Sequence, residues 1–538
     1  MFGSLLLGPR VGHTDYESCR IWIRIPSVRA LRSREGRYLL RIHGAGVFPF
    51  KFTEAPPVEL GTAVAIATGL SADTEYSYEV LLDRAALSGA GGRFRTMPDP
   101  GSFADISFVS ISCSHRSDPG AWPLLADFIA RQKPRFLVMM GDQVYLDEDS
   151  DVWRRNLATP VGRRLRLADV YQQHWNHDPV RHIMANIPTY MMWDDHDVRN
   201  GWGSFAPDSP TLAARYPQAE SIHAKYSAYF GDARYVYWHF QVCSGPWPYG
   251  KLEELPAPME RVGLPFAFQC GRLLVIVADD RGARDIWREG NPVLGDEQWD
   301  YLTKVVDSIG FDVDAVAVVV PLPLASMSPT GLGQLVMGNR EDDIPLLQNR
   351  QEQQLLDLLD GIDTEREDGP LDIIGKIGTG EISLLTDARD NWANHYSTPE
   401  QQRLLRLGAR ARVVNRPSSQ PRGVVFIGGD LHCGGIFDIG FANPPITLPL
   451  LMTSGIAKQT SKGSAIVGIM VDENFDIADD IHATLRQFTH IYNFGVTLVQ
   501  PTGETALISN SLVYGSGNSY WIVRVGPREL PAVPTPSA

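Results

Sequence analysis

Phe136-Leu-Val-Met-Met-Gly-Asp142-Gln-Val-Tyr145 is the stretch that decides the fold. Its apolar run from Phe136 to Met140 is continuous rather than alternating, as expected of a strand buried on both faces. A glycine that allows a sharp turn follows, then a carboxylate and a phenol. In open α/β sheets, sites form just beyond the carboxyl ends of the strands. Two more stretches repeat the pattern. Ile187-Pro-Thr-Tyr-Met-Met-Trp193 runs into Asp194-Asp195-His196-Asp197, and Gly423-Val-Val-Phe-Ile-Gly-Gly429 runs into Asp430-Leu-His432. Acidic and imidazole groups at the tips of several buried strands describe a metal centre.

Working outward, Asp105 to Ser112 reads as a strand that ends in Cys113-Ser-His115. A helix follows over 121–132, with Trp122, Leu125, Phe128 and Ile129 on one face and Pro134 beyond its end. Strand, helix and strand in that order make a βαβ unit and predict a parallel sheet. Upstream, Arg20-Ile-Trp-Ile-Arg24, Tyr38-Leu-Leu-Arg-Ile42 and Tyr76-Ser-Tyr-Glu-Val80 alternate with period two, which predicts an all-β sandwich over residues 1–97. Downstream, the period is helical over 151–186. The aromatic- and proline-rich region 202–265 reads as long loops and short helices covering the site. Arg272 to Ala278 is a buried strand that ends in Asp279-Asp280-Arg281, and Ala315 to Val320 is another. A helix starts at Leu294-Gly-Asp-Glu-Gln-Trp299, and others are expected over 348–359 and 399–412. Leu448 to Met452 and Phe494 to Gln500 suggest a second sheet face. The expected division is 1–97, 98–515 and a C-terminal segment 516–538 that ends in a disordered tail.

A chain of 538 residues exceeds one ordinary core, so more than one domain is expected. The net charge of −14, from 49 basic and 63 acidic residues, argues against a sequence-independent nucleic-acid binder, although a basic pocket would still fit. The five cysteines are scattered without a Cys-x-x-Cys pair, so neither a zinc ribbon nor a disulfide scaffold is indicated. Met1-Phe-Gly-Ser-Leu-Leu-Leu-Gly lacks the basic region and length of a signal peptide. The apolar run Ala315 to Ala325 is broken by Pro321 and Pro323 and is too short to span a bilayer. These readings predict a soluble, cytoplasmic protein without a transmembrane segment.

Asp142, Asp195, Asp430 and His432 offer carboxylate oxygens and one imidazole, Cys113 a soft thiolate, and Tyr145 a phenolate if deprotonated. Hard divalent ions prefer the carboxylates, whereas a trivalent or borderline metal favours thiolate, phenolate and imidazole. A cluster holding both kinds implies more than one metal. Two ions roughly 3.5–4 Å apart clamp a phosphoryl group and acidify water.

Ser112-Cys113-Ser, Gly141-Asp142-Gln-Val-Tyr145, Trp193-Asp194-Asp195-His196-Asp197 and Gly429-Asp430-Leu-His432 together resemble the alkaline phosphatase D (PhoD) group of calcineurin-like metallophosphoesterases. Asp279-Asp280-Arg281-Gly-Ala-Arg284, Leu294-Gly-Asp-Glu-Gln298-Trp299 and Asp390-Asn-Trp392 are similar to that group's secondary motifs. The resemblance implies a four-layer α/β/β/α catalytic domain behind an N-terminal fibronectin- or immunoglobulin-like sandwich. It implies that Cys113, Asp142, Tyr145 and His432 hold an iron (Fe3+). Asp142, Asp195 and Asp430 would hold calcium (Ca2+) or another divalent ion such as Mn2+, Mg2+ or Zn2+. His196 would contact the phosphate or protonate the leaving oxygen. Arg281 and Arg284 are candidates for the phosphate charge, because a guanidinium fork suits phosphate oxygens. A structural salt bridge to Asp279 or Asp280 is the competing reading.

The chain departs from the wider superfamily where Asp195 replaces the asparagine of Gly-Asn-His and where Asp430 replaces the first histidine of Gly-His-x-His. The function implied is metal-dependent hydrolysis of a phosphate ester by an activated hydroxide. The alternative is a catalytically silent phosphate- or glycan-binding protein on the same scaffold. A Rossmann or P-loop enzyme is excluded: no Gly-x-Gly-x-x-Gly opens a helix after the first strand, and no Gly-Lys-Ser/Thr occurs.

Overall fold

A computed structural model describes residues 5–26, 36–54, 59–147, 159–204, 208–215, 220–247, 254–328, 390–394, 396–417, 419–458, 471–503, 505–516 and 519–526. The expected helix at 348–359 and the tail from 529 lie outside them.

The alternating N-terminal segments become β1 (Leu7–Thr14), β2 (Ser18–Arg24), β3 (Tyr38–Ile42), β4 (Gly46–Phe52), β5 (Thr62–Thr68), β6 (Glu75–Leu82) and β7 (Ala85–Arg95). Ile21, Ile23, Leu40, Val80 and Phe94 point to one side and are buried there. Two separate sheets were expected, and here the structure differs. All seven strands join in one antiparallel order, β1-β2-β5-β4-β3-β6-β7. The cause is β4, which pairs with β3 through Gly46 to Pro49 and then with β5 through Phe50 to Phe52. With β1 and β7 also touching, the sheet curls nearly into a barrel.

The chain continues through β8 (Ile106–Ile111), α1 (Trp122–Gln132), β9 (Leu137–Met140), α2 (Pro160–Trp175), α3 (Asp178–Asn186) and β10 (Thr189–Met192). Next come α4 (Pro210–Arg215), α5 (Glu220–Phe240), β11 (Phe266–Cys270), β12 (Leu273–Val277), α6 (Asp296–Asp307) and β13 (Ala315–Val319). Then α7 (Thr398–Ala411), β14 (Gly423–Gly428), β15 (Gly434–Phe441), β16 (Ile446–Met452) and β17 (Asn474–Ala478) follow. Last are β18 (Ile481–Thr489), β19 (Asn493–Pro501), β20 (Ala506–Ser516) and β21 (Ser519–Val525).

Two mixed sheets result, with orders β10-β9-β8-β19-β20-β21 and β11-β12-β13-β14-β16-β15-β18-β17. The parallel βαβ pairing holds for β8, β9 and β10, and for β12, β13, β14 and β16, with antiparallel strands completing each sheet. β16 and β19, read from sequence as one further sheet face, belong to different sheets. β21 extends the first of these sheets past residue 515, into the segment expected to lie outside the catalytic domain.

The sheets meet face to face where β20 contacts β14, β15 and β16, around Ile436, Leu451 and Leu512. On one outer side α1 packs on β19, with Phe128 and Phe494 5.4 Å apart. On the other, α7 packs on α6, β13 and β14. Helix, sheet, sheet and helix therefore stack in that order, and every parallel strand directs its carboxyl end to one edge.

The region 202–265 requires a correction, because α5 is a 21-residue helix where only short helices among long loops were expected. Tyr226, Tyr229, Phe230, Ala233, Val236, Tyr237, Trp238 and Phe240 are all buried along it. A helix with apolar groups on most of its sides shows no amphipathic period to read. Among the described residues, no helix is long and apolar enough to cross a membrane.

α5 also seats the N-terminal sheet. Trp22, fully buried, lies 5.3 Å from Phe240 and 6.2 Å from Trp175, and its Nε1–H donates to the His239 carbonyl at 2.9 Å. The Arg10 guanidinium stacks 5.1 Å from the Trp22 ring and donates to Ser244 Oγ at 2.6 Å. His239 itself is 2% exposed and lies 2.9 Å from Thr53 Oγ1. Burial, with Arg164 nearby, pushes its pKa down to about 3. The unfolded chain therefore takes up a proton near pH 6.5 that the folded one refuses, so stability falls as pH drops from 6.5 towards 3. The expected cost is about 1 kcal/mol for each pH unit. A His239→Gln variant should lose about one proton's worth of that slope in urea midpoints measured between about pH 7 and 4.5. An unchanged slope would show that His239 is charged in the fold.

Candidate metal centre

The strand tips bring the sequence candidates together. Ligand atoms of Cys113, Asp142 and His432 all lie within 4.8 Å of one another, as do those of Asp142, Asp195 and His196, and those of Asp194, Asp195 and Asp430. Asp142 belongs to the first two groups and Asp195 to the last two, so the three form one continuous cluster. Tyr145 joins it through its Oη, 3.2 Å from His432 Nε2. The structure thus brings Cys113, Asp142, Tyr145, Asp195, Asp430 and His432 close to one another, with Asp194 added.

Backbone conformation aims these side chains. Among the described residues, four of the nine non-glycine positions with positive φ are candidate ligands: Cys113 at 57°, Asp142 at 52°, Asp430 at 65° and His432 at 53°. Left-handed backbone is costly for residues bearing a Cβ and tends to gather at functional sites. Gly141 precedes Asp142 at φ 90°, and a Cβ on it would lie 2.1 Å from Cβ of Asp194. No other residue allows the β9 and β10 tips to come this close.

Cys113 is fully buried, and its Sγ accepts from Ser454 Oγ at 3.0 Å. Asp142 Oδ1 accepts from the His196 N–H at 3.2 Å, and Asp195 Oδ1 from the same group at 2.9 Å. The His196 ring lies with Nδ1 2.9 Å from both carboxylate oxygens of Asp147. Its partner there fixes Nδ1 as the protonated nitrogen and leaves Nε2 on the far side of the ring.

Electrostatically the cluster holds too much negative charge. Burial, joined by like charges, raises the Asp142, Asp194 and Asp430 carboxyls well above the ordinary carboxylate range. Burial, Asp142 and Asp430 likewise raise the Cys113 thiol. Burial would raise Asp195 too, but His196, Arg281 and the N–H groups of Gly201 and His196 hold it low. Burial opposes charging of His196, and the carboxylates of Asp147, Asp195 and Asp142 outweigh it. Asp194 Oδ2 is buried and has no hydrogen-bond partner. Crowded carboxylates, a raised thiol and an orphaned oxygen are what a site looks like when its ligands await cations. Thiol, imidazole and carboxylate groups together make a donor set that can hold metal ions.

Arg281 and Arg284 are turned to polar groups of neighbouring segments. Both are fully buried. Arg281 Nε bonds Asp194 Oδ1, and its Nη1 bonds Asp390 Oδ1 at 2.7 Å. Arg284 Nε bonds Ser204 Oγ at 2.9 Å and lies 3.1 Å from Asp390 Oδ1. Their principal partners are Asp194 and Asp390, where the sequence pointed to Asp279 or Asp280. Asp279 instead accepts from Trp193 Nε1 at 2.7 Å and from the Leu264 N–H, while Gln298 bonds its main chain on both sides. The secondary motifs thus pack the strand tips against one another. Sequence reasoning assigned no role to Asp147, Asp194 or Asp390. Asp194, inside Trp193-Asp194-Asp195-His196-Asp197, had the clearest signal.

A helix–sheet–sheet–helix stack with such a cluster at its strand tips is the arrangement that the resemblance to the metallophosphoesterases implies. Residues 108–234, which contain Cys113, Asp142, Tyr145, Asp195 and His196, match the PhoD-like phosphatase family. The solved structure of PhoD aligns with 97% of this chain and 90% of its own at a TM-score of 0.62 and 15% identity, a likeness of fold. A purple acid phosphatase from yellow lupin (Lupinus luteus) seeds aligns with 94% of this chain and 71% of its own, at a TM-score of 0.49 and 9% identity. No curated protein sequence matches significantly.

Proposed function

We propose that this protein hydrolyses phosphate esters with the help of metal ions held by Cys113, Asp142, Tyr145, Asp195, Asp430 and His432. The observation that carries the reading is Asp142, fully buried and common to the Cys113–His432 group and the Asp195–His196 group. Cys113, Tyr145 and His432 suit a ferric ion, and Asp195 and Asp430 suit calcium or another hard divalent ion. Such ions supply the Lewis acidity that polarises a phosphoryl group and acidifies water.

The chain's own residues do the rest. Asp147 holds the Nδ1 proton of His196, so Nε2 is the atom that gives a proton to the leaving oxygen or receives one from the nucleophile. Asp142 and Asp195 accept from the His196 main chain and fix that ring relative to the ligands. Arg281 and Arg284 act in this reading by holding Asp194 and Asp390, not by touching substrate. The substrate is a phosphoester, and the positions named here leave monoester and diester both open.

The test is turnover of p-nitrophenyl phosphate and of its bis ester, before and after chelation. Chelator should abolish hydrolysis, and calcium with iron should restore it. Turnover that survives complete metal removal would refute the reading. A metal-loaded protein that binds phosphate and cleaves neither ester would favour a silent binding protein.

A further inference from the structure

We infer that Ser454 is a positioning residue of the metal centre: its hydroxyl holds the Cys113 sulfur as a charged ligand and ties it to His432. The role rests on the reading above that Cys113 and His432 serve one ion. Those two residues come from different sheets, since Cys113 follows β8 and His432 follows β14. A site preformed for an ion needs its sulfur and its imidazole in register across that seam.

Ser454 lies two residues beyond β16 and is fully buried. Its Oγ accepts from the His432 N–H at 2.8 Å and donates to Cys113 Sγ at 3.0 Å. The direction follows from valence, because an oxygen that takes the amide proton still has its own proton to give. The sulfur's other neighbours do not offer a proton as freely. The Asp430 carbonyl at 3.2 Å and Asp142 Oδ2 at 3.5 Å are acceptors, which suit a thiol and repel a thiolate. Ser112 Oγ is 3.4 Å from the sulfur but also 3.2 Å from the Thr453 carbonyl, so its one proton is contested. A hydrogen bond to the charged form of a group favours that form, and bonds donated to a ligating sulfur withdraw charge from it. Ser454 supplies that bond.

The surrounding turn fixes the hydroxyl in place. Asn493, fully buried at the start of β19, accepts from the Ser454 N–H through Oδ1 at 3.2 Å, and its Nδ2 donates to the Ser454 carbonyl. β19 belongs to the sheet of β8, whereas β16 belongs to the sheet of β14, so this clamp also crosses the seam. The Ile456 N–H bonds the Ser112 carbonyl at 3.1 Å, and the Ala457 N–H bonds that of Cys113 at 3.2 Å. Gly455 sits at φ 81°. A Cβ on it would lie 2.3 Å from the Lys458 carbonyl oxygen and 3.3 Å from that of His432, so the turn requires glycine. The turn thereby lies against both candidate ligands at once.

The experiment titrates the whole chain with cobalt(II), whose thiolate charge-transfer absorption reports on the sulfur directly. Wild type, Cys113→Ser, Ser454→Ala and Ser454→Thr are compared, with metal-free melting temperatures measured alongside. Wild type should show a band that Cys113→Ser abolishes. Ser454→Ala should bind cobalt about 10- to 100-fold more weakly, the scale of losing a hydrogen bond to a metal ligand. Its band should move to longer wavelength, because a sulfur relieved of that bond gives up its electron more readily. Ser454→Thr keeps the hydroxyl and should return both towards wild type. A Ser454→Ala band at the wild-type energy overturns the inference whatever the affinity, and a lowered metal-free melting temperature beside it would mark a serine that only supports the fold. If wild type shows no band, or Cys113→Ser retains it, the ligand reading fails at Cys113 and takes this inference with it. A band that shifts in Ser454→Ala, in a protein that cleaves neither p-nitrophenyl ester, leaves the role of Ser454 standing and sinks the hydrolase reading alone.

Discussion

Asp142→Asn should lower phosphoester turnover on the order of 10³-fold or more while leaving a folded protein, because one carboxylate serves both halves of the cluster. An amide matches the carboxylate in shape but brings no charge to share between two cations. Bound metal, measured by elemental analysis, should fall with activity. The metal-free protein should behave in the opposite way. Asp142 sits among Asp195, Asp197 and other buried acids, and that repulsion works against the fold when no cation offsets it. Removing it should leave the metal-free melting temperature unchanged or raised, and the stabilisation that wild type gains on adding metal should largely vanish. Full turnover in Asp142→Asn with wild-type metal content would end the shared-ligand mechanism. A collapsed melting temperature without metal would show instead that Asp142 has a structural role in the strand tips.

Reading the fold from sequence succeeded where one physical rule dominates. Strands covered on both faces must be continuously apolar, so Leu137–Met140, Thr189–Met192 and Gly423–Gly428 stand out, and the polar residues after them fall at one edge of the sheets. That is why Asp142, Asp195, Asp430 and His432 were visible. The failures have physical causes as well. α5 is buried on most of its sides, which erases the helical period. β4 divides its pairing between β3 and β5, a choice made by tertiary closure that no local pattern signals. The left-handed backbone at Cys113 and Asp142 is equally silent, since neither residue type requires it. Partner choice is the hardest to see. Arg281 follows a strand like any phosphate-binding arginine, and only the arrival of Asp194 and Asp390 from distant segments turns it inward.

Arg281→Met should destabilise the protein by about 3–5 kcal/mol, because it strips the cation from two buried carboxylates. Arg281 is fully buried, and Asp194 and Asp390 are nearly so. Losing it leaves both acids to repel each other and Asp195 without solvent to screen them. Lysine should rescue little, since a single ammonium cannot hold Asp194 through one nitrogen and Asp390 through another, as the guanidinium fork does. The partner can be tested in the same way. Asp390→Asn alone should destabilise less, because Arg281 keeps Asp194, and the double variant should cost clearly less than the sum of the two singles. Urea unfolding of the four proteins gives that coupling, and turnover measured in parallel separates the two roles open to this arginine. A large stability loss with proportionate loss of turnover fits a guanidinium that holds the strand tips in place. Wild-type stability together with a collapsed kcat would mean that Arg281 reaches the phosphate after all, and that the buried pairing opens when substrate binds.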